Sequence, residues 1–137
     1  MSLDTTQAEA AIVARLSAVL SRVYVTEVPD SVAPVYPLVV IYFGDPVRTG
    51  TDRGIVSTRN DTQRGFAVIQ VQAPTDAAAR DIKNKIRVSM VGYRPTDCGE
   101  MVLEGGYGYS KAATTVKPTI YYREVGMSWL TNLSYNA

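Results

Sequence analysis

The chain has no histidine and only one cysteine, Cys98, among 137 residues. Without histidine it lacks the commonest general base, the commonest metal ligand and the partner of Ser-His and Cys-His nucleophile pairs. One cysteine cannot close an intramolecular disulfide or supply a thiolate zinc cluster. Cys98 sits in "TDCGE" with no histidine to activate it, and reads as a structural or incidental thiol. An excess of one charge is also missing: Lys and Arg number 14, Asp and Glu 13, so no bulk field points to nucleic acid or membrane. Long apolar runs are absent too. The longest, "PLVVIYFG", is far too short to span a bilayer. The stretch "MSLDTTQAEAAIVARL" carries acidic residues early and no basic region before its apolar part, so it does not read as a signal peptide. The expectation is a soluble protein made in a reducing cytoplasm, with no membrane partner.

Motifs for chemistry are equally scarce. "GGYGY" is no phosphate-binding loop, since no Gly-Lys-Ser/Thr follows and no helix opens there; a turn with aromatic flanks is the reading. There is no G-x-S-x-G elbow. Asp76 and Asp81 are five apart on a helix and do not face each other as an acid–base pair would. Asp4, Asp30 and Asp45 are scattered, and no metal motif is present. No catalytic residue, cofactor or metal is expected, and the chain is read as a non-enzyme.

What is present fits one globular domain spanning residues 1–137, with a hydrophobic fraction of 46% and a charged fraction of 20%. Thr6 and Glu9 are spaced as a capping box, and Ile12, Leu16, Val19, Leu20 and Val23 then recur at helical spacing. Arg15 and Arg22 lie off that stripe. Tyr24 to Val28 reads as a short strand, and Pro29, Pro34 and Pro37 then force an extended path. Leu38 to Phe43 is apolar and β-branched, as a central strand would be. "FAVIQVQA" alternates, with Ala67, Ile69, Val71 and Ala73 on one face. Thr75 is placed to cap a second helix with Ala78, Ile82, Ile86 and Met90 as its buried stripe, ended by Gly92. Its Arg80, Lys83, Lys85 and Arg87 read as a solvated face. "GEMVLEGGYGY" reads as a strand, a Gly-Gly turn and a return, and "TIYYREVGMSWLTNL" as a long last strand with Tyr121, Arg123, Val125, Met127 and Trp129 on one side. The fold class is α+β: a mostly antiparallel sheet, two helices packed on one face, and a long mid-chain hairpin loop.

That loop, "PVRTGTDRGIVSTRNDTQRG", spans residues 46–65 between two core strands. Loops this long inside compact domains are functional or disordered. Its Arg48, Arg53, Arg59 and Arg64 admit three readings: solvating charges, contacts to carboxylates of a neighbouring copy, or contacts to phosphates. Asp52 and Asp61 are interleaved with them, as is Asp45 just before, which suits subunit contacts or a mixed-charge surface better than a nucleic-acid arm. The nine tyrosines, against two phenylalanines and one tryptophan, either edge the sheet or supply surface buried against a partner.

Four pieces, "AIVARLSAVLSRVYVTEVP", "PVYPLVVIYFGD", "FAVIQVQAPTDAAARDIKNKIRVSMVGY" and "VKPTIYYREVGMSWL", follow one another in an order that resembles the tail terminator (tail completion, tail-to-head joining) proteins of long-tailed bacteriophages. The resemblance covers nearly the whole chain as a pattern of elements rather than a short signature. It implies a structural virion protein at the head-proximal end of the tail, assembled in the host cytoplasm. It further implies a hexameric homo-oligomeric ring that caps the tail tube, stops its elongation, meets a head completion or connector protein, and passes DNA through its lumen without specific recognition. It transfers a region, the mid-chain loop and the sheet edges, as the assembly surface. The alternatives are a head–tail connector or neck protein, a tail tube subunit, and a nucleic-acid-binding module. The loop is expected to be mobile in the free subunit and to order against a neighbour, the tube or the lumen.

Overall fold

A computed structural model describes residues 6–48, 60–95, 98–104, 110–113 and 119–134. The elements run α1 (Thr6–Val19), β1 (Val23–Val25), β2 (Leu38–Arg48), β3 (Asn60–Ala73), α2 (Asp76–Met90), β4 (Val102–Glu104), β5 (Ser110–Ala113) and β6 (Ile120–Ser134). The strands form one six-stranded sheet in the order β1-β2-β3-β6-β4, with β5 also on β6. Only β1 pairs in parallel; the β2–β3, β3–β6, β4–β6 and β5–β6 ladders are antiparallel. Both helices pack on one face, which is the α+β architecture expected from the pattern.

Alternation along the strands builds the core. Val39, Ile41, Ala67, Ile69, Val71, Ala73, Val125, Met127 and Trp129 present one face of the sheet, and Ile12, Leu16, Ala79, Ile86 and Met90 from the helices close over it. Ala78 and Ile82 are half-buried at the margin, and Ala79 carries the buried contact at that turn of α2. Val23 belongs to β1 rather than to the α1 stripe, and joins the same cluster from the sheet. The first helix begins at Thr6 and carries Glu9 in its first turn. Thr75 does cap α2: its Oγ1 accepts from the Ala78 N–H at 3.1 Å. Gly92, at φ 84°, takes the left-handed conformation that ends the helix.

Arg15 ties the two helices together. Its Nε donates to the Ser89 carbonyl at 2.9 Å, one of the last-turn acceptors of α2 that helix geometry leaves without a partner. The same guanidinium lies over the Tyr93 ring, 4.5 Å from its centroid. Arg22 makes a comparable tie beyond the end of α1. Its Nε donates to the Pro37 carbonyl at 3.0 Å and holds the proline-rich segment to the α1–β1 junction.

The Gly-Gly turn and return expected at residues 105–109 lie outside the described residues. On either side of them, Glu104 pairs with Gly126 and Ser110 with Arg123, so β4 and β5 run in the same direction along one edge of β6. One expectation changes, the extent of the loop. Residues 46–48 continue β2 and residues 60–65 continue β3. One residue is gained on β2 between Gly44 and Val47, where the register shifts. Pro46, with no N–H to donate, lies within that bulge. The polar stretch from residue 60 stays in the sheet because β6 pairs with it without a break, from Asn60↔Ser134 to Ala73↔Tyr121.

Candidate assembly surfaces

The long strands overhang the helices. β3 has 14 residues, which at ~3.4 Å each spans about 48 Å. α2 has 15 residues, which at 1.5 Å each spans about 22 Å. The surplus is a ribbon of β2, β3 and β6 in which Arg48 pairs with Gln63, Asp61 with Leu133 and Arg64 with Leu130. Three of the six residues singled out in the sequence, Arg48, Asp61 and Arg64, thus lie on one ribbon. Asp52, Arg53 and Arg59 lie outside the described residues, as does the tip they belong to.

Arg64 is engaged within its own subunit. Its Nη1 donates to Ser128 Oγ at 3.0 Å and stands 3.8 Å from Glu104 Oε1, while the Ser128 hydroxyl donates to the same carboxylate. Ser128 is fully buried, and this network satisfies its hydroxyl. The root of the ribbon is sealed by aromatics on the other face: Trp129 meets Phe43 edge-on, with centroids 6.5 Å apart and planes at 85°. Gly65 pairs with Trp129 across the strands, and the indole lies against its backbone.

The sheet face away from the helices is the second candidate surface. Leu38 and Val40 are buried there, flanked in the register by Gln72 and Tyr122, and by Tyr24, Gln70 and Glu124. Gln72 donates to Gln70 at 2.8 Å along β3. Tyr122 has its phenol pushed above the ordinary value of 10.0, first by burial and then by the neighbouring Tyr36 and Tyr42. A phenol that resists ionisation when folded but ionises at its ordinary value when unfolded favours the unfolded state above pH 10. Stability should therefore fall as pH climbs past 10, and Tyr122→Phe should flatten that fall, as read by denaturant midpoints at pH 9 and pH 11. An unchanged slope in the variant would contradict the burial of this phenol.

Charge on the helices follows a different logic. Asp76 receives Arg123 in two contacts of 3.1 Å and Arg80 in a third of 3.1 Å. Asp81 pairs with Lys85 at 3.1 Å, one turn apart. Lys83 is held below its ordinary value by burial, then by Arg123 and Arg87. Asp76, the first residue of α2, is thus the anchor of the helix on β6. Sequence periodicity had no means of pairing it with Arg123, 47 positions away.

Among the described residues no group of three or more Cys, Asp or Glu side chains is placed to hold a metal ion. No helix of the described residues is long and apolar enough to cross a membrane. No protein-family model matches the chain, and no curated protein matches it. Among solved structures, the chain is similar to one from the virion of a native gene transfer agent particle, at 15% identity and a TM-score of 0.55. The match covers 96% of this chain and 100% of the other. At that identity the finding concerns the fold alone, which the two chains share over nearly the whole of this one.

Proposed function

We propose that the chain is a non-enzymatic virion structural protein of a phage-like particle, a tail terminator that forms a ring on the end of the tail tube, stops its growth and joins the tail to the head. The observation that carries this reading is the end-to-end fold likeness to a chain of the gene transfer agent virion. The sequence resemblance to tail terminators supplies the finer assignment. Partners are then further copies of itself, six in the ring, together with a tube protein on one side and a head completion or connector protein on the other. DNA passes through the lumen without base recognition. The ribbon and the loop carrying Arg48, Asp52, Arg53, Arg59, Asp61 and Arg64 serve as an assembly surface. Interleaved Arg and Asp suit contacts between proteins, where planar two-point pairing of Arg with carboxylate gives orientation.

Electron microscopy of the purified protein separates this from its nearest rival. Single closed rings support the terminator; stacked rings growing into filaments support a tail tube subunit. The double variant Arg53→Ala, Arg59→Ala should keep its thermal midpoint and lose rings. If the rings persist, the loop arginines are solvating charges only. A nucleic-acid-binding module would instead hold to a polyanion column at low salt and release steeply as salt rises.

A further inference from the structure

Two exposed apolar stretches lie on different elements and differ in charge. The first is the end of β1 and the segment joining it to β2. It exposes Val25, Val32 and Val35, the last 55% exposed, and its own charged residues are Glu27 and Asp30, with Arg22 tied to its Pro37 end. The second is the outer face of α2. Val88 is 84% exposed, opposite the buried Ile86, and Val91 follows three residues later on the same side. Beside Val88 a shallow concavity of about 320 Å³ is lined by Asp81, Asn84, Lys85, Val88 and Ser89. Lys83 is half-buried towards Arg123 on the other side of the helix. On the exposed side Arg80 is paired with Asp76 and Lys85 with Asp81, so Arg87 is the cation left over. Among the described residues Arg87, Glu27 and Asp30 form no ion pair.

We infer that the acidic valine patch of residues 25–35 docks on the basic outer face of α2 of a second copy of this chain, Val35 entering the concavity beside Val88. Charge complementarity names the occupant: the first stretch carries the unpaired acids Glu27 and Asp30, and the second the unpaired cation Arg87. The patches are different surfaces, so the contact is heterologous and each copy keeps one free half. Such a contact propagates from copy to copy and closes into a ring when the rotation permits. The inference rests on the ring reading and deepens it by adding a second contact between subunits to that of the ribbon and loop.

Cross-linking of the full chain tests it. In a Cys98→Ser background, Val35→Cys and Val88→Cys on the same chain, treated with a short bismaleimide, should give a ladder of covalent multimers. Either substitution alone should give none, and a mixture of the two single variants should stop at dimers. Both positions are exposed, so neither change strains the fold. The charge reversals Glu27→Lys with Asp30→Lys, or Lys85→Glu with Arg87→Glu, should each weaken self-association about tenfold or more, and the combined quadruple variant should recover it. Multimers in sedimentation with no ladder would overturn this contact and leave the ring standing. Monomers with no ladder would overturn both. Dimers from Val88→Cys alone would show an isologous contact and overturn the proposal.

Discussion

Gly65→Ala lowers the stability of the domain by about 2 kcal/mol, a drop of roughly 7 °C in Tm for a chain of this size. The reason is geometric. A Cβ at Gly65 would lie 2.5 Å from Cε2, 2.6 Å from Cζ2 and 2.7 Å from Nε1 of Trp129. No side chain tolerates that approach, and the indole is neither the flexible end of a side chain nor free to leave, being only 5% exposed and packed on Phe43. Either β3 moves away from β6 or the tryptophan leaves its place, and both open the core at the root of the ribbon. Two of the three offending atoms, Cε2 and Nε1, belong to the five-membered ring and the third, Cζ2, to the fused six-membered ring. In a Trp129→Val background, which removes both rings, the same Gly65→Ala change should therefore cost far less, and a double-mutant cycle by chemical denaturation reads the difference. Equal costs in the two backgrounds would contradict the packing of Trp129 on Gly65.

Asp76→Ala costs about 2 kcal/mol, and more than Arg123→Met does. Arg123 is 15% exposed and its carboxylate partner 31%, so the pair is largely removed from water. Removing the acid leaves the Arg123 guanidinium near Lys83 and Arg80 with its principal anion gone, and breaking a fully buried pair costs about 3–5 kcal/mol. Partial exposure reduces that figure. Replacing the arginine with an apolar side chain of similar length removes the charge that needs compensating, and is close to neutral when the space is filled. Asp76 also opens α2, where an acid is favoured by the helix dipole. Urea denaturation of the two single variants gives the order directly. A larger loss in Arg123→Met would show that packing of the arginine stem, rather than its pairing, holds α2 to β6.

Local signals make much of this fold readable. Thr75 caps α2 because its hydroxyl needs only the next turn, and the alternation of Ala67, Ile69, Val71 and Ala73 is a property of four residues on one strand. What the sequence hides is non-local. Gly65 follows a polar run and looks like a turn glycine, yet it is a strand residue kept small by a tryptophan 64 positions later. Asn60 to Arg64 show no apolar alternation, and their strand state comes from pairing with the far end of β6. Nothing in "GGYGY" announces that the strands on both sides of it pair with β6. Of the proposed assembly surface, composition discloses the arginines but not that Arg64 is bound to Ser128 and Glu104 at the base of the ribbon.

The central claim is that this chain works as a closed ring on a virion tail. Native mass measurement of the purified full chain over a hundredfold range of concentration tests it most directly. The account predicts one dominant closed multimer, six subunits, whose stoichiometry stays fixed once formed. A strict monomer at the highest concentration, or a mass that keeps growing as concentration rises, would contradict it.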